Sequence, residues 1–176
     1  MVEIRRYRTE DRKDLERICS VTDPNHFPSG YLYTLYLNYY IEDESGLALV
    51  ASIDGKTAGY ILCAQDYLAW KRRMQEVYLA QSDDRTRRDG EDAIRFYSPY
   101  AGEYPAHLHI DIDPSCQRMG LGTALVDTLC IILKEKRIKG LMLGVDRSNV
   151  KGVAFYEKYG FDKLDSDGTA YGLLLS

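Results

Sequence analysis

Two stretches of this chain combine residue types and spacing that could do chemistry. From Ala106 to Asp113 the pattern alternates strictly, with Leu108, Ile110 and Ile112 on one face and His107, His109, Asp111 and Asp113 on the other. Successive strand residues point to opposite faces, so His107, His109 and Asp111 stand in a row, roughly 6–7 Å between same-face neighbours. An imidazole with an ordinary pKa near about 6.5 can accept or relay a proton at neutral pH, and a carboxylate beside it can hold its tautomer or attract a cation. The same trio could ligate zinc, but a structural zinc site needs four supported ligands and no further His or Cys cluster completes one, so no metal is expected. A plainer reading leaves either histidine hydrogen-bonded to neighbouring backbone.

The second stretch follows directly. A strand breaks at Pro114, and a helix begins near Gly120 after the run Gln117-Arg118-Met119-Gly120-Leu121-Gly122-Thr123. Amides at a helix N-terminus lack partners, the helix dipole favours anions there, and glycine lets a ligand approach the backbone. A pyrophosphate suits such a turn; tight packing of helix on sheet is the alternative. The dinucleotide pattern is absent, because Leu125 stands where its third glycine would be.

These residues need a scaffold, and the chain's periodicities propose one. Residues 2–7 read as a strand, and Thr9 as the cap of a helix carrying Leu15, Ile18 and Cys19. Residues 31–41, dense in tyrosine, read as a second helix. Residues 47–53 and 56–64 flank Asp54-Gly55, a strong hairpin signal. Residues 66–103 read as an insertion, with helical spacing through Leu68, Lys71-Arg72 and Val77-Tyr78, then a polar loop over 82–90. A helix over 123–136, a strand over 141–145, a helix over 149–159 and a strand over 171–175 follow. A right-handed crossover makes the fourth and fifth strands parallel.

Composition narrows the function classes. With 45% hydrophobic and 28% charged residues among 176, the chain can form one domain that buries about 70% of its unfolded surface. Its 23 Lys+Arg against 27 Asp+Glu give a net charge of −4, which argues against general nucleic-acid binding. The charged N-terminal stretch contains no apolar run of signal or membrane-span length, so a cytoplasmic location without membrane partners is expected. Cys19, Cys63, Cys116 and Cys130 form no CxxC pair and are expected as free thiols.

The run Gln117-x-x-Gly120-x-Gly122 resembles the hallmark Q/R-x-x-G-x-G/A of the GNAT superfamily of N-acetyltransferases. A second superfamily feature is matched by Asn149-x-x-Gly152-x-x-Phe155-Tyr156-Glu157-Lys158-x-Gly160-Phe161, departing only at Gly152, where alanine is usual. Residues 104–122 are also similar to bacterial relatives of the acetyltransferase-like domain attached to O-linked N-acetylglucosamine hydrolases. The resemblance implies a single mixed α+β domain over 1–176, its sheet mostly antiparallel. The parallel fourth and fifth strands would be splayed at the cofactor site, with helices on both faces.

The resemblance further implies acetyl transfer from acetyl-CoA, as cosubstrate, to a primary amine of a small molecule or protein by direct attack. The amides of Gln117, Arg118, Met119, Gly120, Leu121, Gly122 and Thr123 would take the pyrophosphate, and the backbone of Ile110, Asp111 and Ile112 the pantetheine arm. Asn149, Phe155 and Tyr156 complete the expected cofactor set, Asn149 lying seven residues, roughly two turns, before Tyr156 on the same helical face. Tyr156 would protonate the leaving thiolate. Candidates for the base are His107, His109, Asp111, Glu103 or an ordered water. A thioester on Cys116 is not required for direct attack. The acceptor would be shaped by Tyr31, Tyr33, Tyr36, Tyr39 and Tyr40 and by Trp70, Arg87, Arg88 and Tyr97, suiting an amino sugar, polyamine or small amine, with a homodimer left open. The competing reading is an acetyl-CoA-binding module without catalysis.

Overall fold

Asp54 and Gly55 both adopt positive φ (49° and 80°), the two-residue turn whose twist matches a hairpin, and they join β2 (Leu49–Ile53) to β3 (Lys56–Ala64). The computed structural model describes residues 1–175. Around this hairpin β1 (Val2–Arg6) pairs with β2, and β3 pairs with β4 (Ala106–Ile112), all antiparallel. Beyond β4 lie β5 (Gly140–Gly144), β7 (Ala170–Leu174) and the two-residue β6 (Asp162–Lys163). Among the described residues the sheet has seven strands in the order β1-β2-β3-β4-β5-β7-β6, and β4 against β5 is its parallel pair. The short β6 had no signal in the sequence pattern.

Alternating strand residues feed two cores. Tyr60 and Leu62 of β3 point into a layer formed by α1 (Arg12–Thr22), α2 (Ser29–Tyr36), α3 (Asn38–Glu42), α4 (Tyr67–Arg73) and α5 (Asp84–Tyr97). Ile61 and Cys63 point the opposite way, under α6 (Leu121–Glu135) and α7 (Val150–Tyr159). The expected arrangement, helices on both faces of a mixed sheet, is what forms.

Three local expectations are corrected. Thr9 does not cap α1; it starts a short 3₁₀ turn, and Asp11 reaches back to accept from the Arg8 amide (2.8 Å) and from both Arg5 guanidinium nitrogens (2.7 Å each). The single helix over 31–41 is two, because Leu37 leaves helical geometry (φ −132°, ψ −57°) while burying its side chain completely. The polar loop over 82–90 is largely the start of α5. Asp83 caps it by accepting from the Thr86 amide (2.8 Å), and the buried stripe Thr86, Gly90, Ile94, Tyr97 recurs at helical spacing. Half of that stripe is small or polar. A Cβ on Gly90 would lie 2.5 Å from Leu79, so the helix sits too close for an apolar side chain there. In α4 the buried residues are Tyr67 and Trp70, whereas Leu68 is exposed.

β4 and β5 pair only through Ala106–Leu141 and His107–Met142 and then part. β4 continues beside β3 as far as Ile112, while β5 stays with β7 as far as Gly144. The edge of β4 from Leu108 onward therefore faces an opening. Replacing Asp83 by alanine removes the cap of α5 and is expected to lower stability by about 1 kcal/mol in urea unfolding; an unchanged midpoint would contradict a helix start at this polar run.

Candidate active site

The opening between β4 and β5 collects the chemistry-bearing residues. On its α6 side the chain leaves β4, turns through Pro114–Cys116 and enters α6 through Arg118 (φ 65°) and Gly120 (φ 77°). Gly120 is the N-cap of α6 in left-handed conformation, where glycine alone carries no steric penalty. Gln117, Arg118, Met119, Gly120 and Thr123 are exposed, whereas Leu121 anchors the helix in the core. The first-turn amides of Leu121, Gly122 and Thr123 have no intrahelical acceptor and face the solvent end of the helix dipole. A Cβ on Gly122 would meet the Phe155 ring at 3.3 Å, so this glycine also lets α7 pack against α6. The close-packing reading of the glycine pair thus applies at Gly122, while Gly120 has open space around it.

Asn149 does not project from the face of α7. It caps that helix, with Oδ1 accepting from the Gly152 amide at 2.9 Å. A Cβ on residue 152 would lie 2.5 Å from Nδ2 of Asn149, which gives the Gly152 departure a physical partner. Tyr156 is buried, its ring packed against Phe155, Phe161 and Tyr171 with centroids 5.4, 5.7 and 6.4 Å away. Burial raises its pKa, and the charges of Asp111 and Tyr97 raise it further, so the hydroxyl keeps its proton.

The row on β4 is less polar in its surroundings than alternation suggests. His107 is fully buried, stacked on Tyr97 and edge-on to Trp70, with centroids 4.6 and 4.5 Å away. His109 is half-buried, edge-on to Tyr36 at 5.3 Å. The Tyr40 hydroxyl lies between them, 2.9 Å from Nε2 of His107 and 3.0 Å from Nε2 of His109. Their partner is thus a side chain, not neighbouring backbone. Burial pushes the His107 pKa well down, helped by His109, and pushes His109 down to about 4. Asp111 moves oppositely: burial raises it to about 6 against the bond donated by the Tyr60 hydroxyl (2.6 Å). Asp113 accepts from Ser115 and from Arg17 (2.7 Å), which hold it down to about 2 and tie the strand end to α1. Among the described residues no group of three or more His, Cys, Asp or Glu could hold a metal ion.

Other expected participants are placed elsewhere. Glu103 belongs to the turn before β4, its carbonyl against Gly140 where β4 and β5 still pair, at the opposite end of the strand from Asp111. Trp70, Tyr97, Tyr39 and Tyr40 are core residues. Tyr33 bonds back to α1, and Arg87 holds the carbonyls of Leu79 and Ser82. Tyr31 donates to Asp89 at 2.9 Å beneath Arg85, whose guanidinium lies 4.7 Å from the Phe27 ring centroid. Tyr60 was not identified from the sequence, because the β3–β4 register that sets it opposite Asp111 joins strands separated by the whole inserted segment.

With this geometry in view, comparison with known proteins is direct. The Acetyltransferase (GNAT) family profile matches residues 12–161, and the chain belongs to that family. It is 40% identical over 56 residues to the [ribosomal protein bS18]-alanine N-acetyltransferase of Escherichia coli (strain K12). That stretch is 32% of this chain and only 38% of the relative's length. The crystal structure of SsHAT superposes with a TM-score of 0.87 at 26% identity, covering 99% of this chain and 98% of that one. The structure of yncA from Salmonella typhimurium with its cofactor acetyl-CoA shares the fold, with a TM-score of 0.62 at 16% identity over 99% and 94% of the two chains. No helix among the described residues is long and apolar enough to cross a membrane.

The raised pKa of Asp111 links this site to stability. Its carboxyl contributes fully below its ordinary 3.8, and that contribution is lost as the pH rises through about 6. Asp111→Asn cannot ionise, so its stability relative to wild type is expected to rise between pH 4 and pH 7 in urea unfolding. Parallel pH curves for the two proteins would contradict the assignment.

Proposed function

We propose that the protein is an acetyl-CoA-dependent N-acetyltransferase that moves the acetyl group directly to a primary amine. The observation that carries this reading is the parting of β4 and β5 after two residue pairs, beside the free N-terminus of α6 and the buried Tyr156 of α7. Acetyl-CoA supplies an activated thioester. The open amides from Gln117 to Thr123, with glycine at both close-approach positions, suit its pyrophosphate, and the unpaired edge of β4 at Ile110, Asp111 and Ile112 suits the amides of its pantetheine arm. Phe155 packs beneath the turn at Gly122. Asn149 serves through the start of α7, as the cap that positions Tyr156.

Asp111 is the base favoured by its electrostatics. A general base works best with a pKa near the operating pH, and about 6 for Asp111 is closer than about 4 for His109, while His107 has no exposed surface. The ammonium group gives its proton to the Asp111 carboxylate, and the amine nitrogen bonds the acetyl carbon. The carbon–sulfur bond breaks, the Tyr156 hydroxyl proton passes to sulfur, and the second proton that nitrogen loses as the amide forms restores the Tyr156 hydroxyl. The half-buried cleft wall of His109 and Tyr36 suits a small amine or the amino end of a protein; the Escherichia coli relative is named for a protein alanine. The similarity of residues 104–122 to hydrolase-attached acetyltransferase-like domains belongs to this reading and adds no acceptor. The reaction is assigned to the cytoplasm. A binding module without catalysis has no need of a carboxyl whose pKa is raised toward neutrality or of a buried hydroxyl that keeps its proton.

Free-thiol release against a panel of amines tests the activity. With an acceptor in hand, Tyr156→Phe should lower turnover by about 10²–10⁴-fold while acetyl-CoA affinity by calorimetry stays the same. Turnover equal to wild type would remove Tyr156 from the mechanism.

A further inference from the structure

The buried chain behind His109 has unused hydrogen-bonding capacity, and it decides which nitrogen of that imidazole carries the proton. Tyr40 has one hydroxyl hydrogen and two imidazole nitrogens within bonding distance, Nε2 of His107 at 2.9 Å and Nε2 of His109 at 3.0 Å. Burial keeps both rings neutral, so each Nε2 is either an N–H or a lone pair. Two imidazoles that both donated to the phenol oxygen would leave the buried phenol hydrogen with no acceptor, so all three groups are satisfied only when one imidazole donates to the oxygen and the other accepts the hydrogen. Two arrangements satisfy this condition, and they run in opposite directions.

The far end of the chain selects between them. Among the described residues, the buried side-chain nitrogens and oxygens without a partner are Nε1 of Trp70 and Nδ1 of His107, on two rings packed edge-on with centroids 4.5 Å apart. Trp70 Nε1 is always a donor. A proton on Nδ1 of His107 would bury two N–H groups in one apolar contact with no acceptor for either. A lone pair on Nδ1 leaves the indole N–H as the single buried donor without an acceptor, and an orphaned buried N–H is rarer and costlier than an unfilled acceptor. The His107 proton then sits on Nε2 and is donated to Tyr40, and Tyr40 donates to Nε2 of His109. The His109 proton must be on Nδ1. That nitrogen is not enclosed, since His109 keeps part of its surface exposed and Nδ1 is absent from the buried partnerless pair.

We propose that Trp70, His107 and Tyr40 are positioning residues that lock His109 in its Nδ1–H tautomer, so that it meets the cleft as a hydrogen-bond donor to an oxygen of the acceptor molecule. On β4 the donor at His109 and the carboxyl at Asp111 are same-face neighbours. The pair is complementary to an amine that carries a hydroxyl or carbonyl oxygen near its nitrogen, and less so to a plain polyamine. The substrate class rests on the acyl-transfer reading of the cleft; the tautomer does not.

Side-chain ¹⁵N NMR of the full chain, without ligands, reads the tautomer directly. Three histidines are present, and His26 is exposed and remote from the buried chain, so a His26→Gln variant assigns its signals. The expected spectrum has a protonated Nδ1 and a pyridine-type Nε2 on His109, with the reverse on His107. In Tyr40→Phe the chain is cut, and His109 should move towards the Nε2–H form favoured by free imidazole. A wild-type His109 protonated at Nε2 overturns the proposal, and so does a tautomer that Tyr40→Phe leaves unmoved. The wild-type spectrum decides even if the variant does not fold. An expected spectrum in a chain that acetylates no amine would count against the acyl-transfer reading and leave the tautomer lock standing.

Discussion

Everything at the site depends on β4 and β5 parting after two paired residues. A parallel pair would ordinarily continue and satisfy both backbone edges; here the edge of β4 from Leu108 to Ile112 is left to bond something that enters. The parting is built on both sides. Val145 continues from β5 towards β7, donating to the Thr169 carbonyl at 2.8 Å. Phe96 and Tyr97 of α5 close on Gly144, where a Cβ would lie 2.9 Å from the Phe96 ring. At the closed end a Cβ on Gly140 would be 2.4 Å from the Glu103 carbonyl, so β5 is pressed against the turn before β4 where the two strands still pair. Glycines at both ends of β5 permit these close approaches, and the inserted helix α5 supplies part of the wedge.

Burial then sorts the groups on β4 by charge type. The same loss of solvent that lowers the His107 and His109 pKa raises that of Asp111, because desolvation penalises whichever form is charged. At neutral pH the strand therefore presents two neutral imidazoles and a carboxyl near its titration point. Desolvation similarly keeps the Tyr156 hydroxyl protonated on the other side of the opening. One environment thus leaves a carboxyl near its titration point and a hydroxyl that keeps its proton, the acceptor and the donor that the proposed transfer requires.

Much of this was legible in the residues. The Asp54-Gly55 hairpin, the alternation of β4 and the glycine turn before α6 each follow from local backbone preferences, which a single sequence displays. The two superfamily motifs pointed to Tyr156 and to the glycine turn before α6. What stayed hidden depends on contacts between distant segments. The helix α5 is concealed because its buried face uses the polar Thr86 and Gly90, where a side chain would strike Leu79, in place of hydrophobic residues. The polar face of β4 reads as a cleft wall, yet His107 lies at zero exposure beneath aromatic residues from α3, α4 and α5. Asn149 matched its motif but works as a helix cap, a role set by backbone geometry that the spacing to Tyr156 does not reveal.

The central claim is that the parted strands and the N-terminus of α6 form one acetyl-CoA site, and amide NMR during titration with acetyl-CoA tests it most directly. The account predicts the largest shifts at the amides of Ile110 to Ile112 and Gln117 to Thr123, with smaller ones at the start of α7. Saturable binding whose shifts cluster elsewhere, leaving those two segments unmoved, would contradict it.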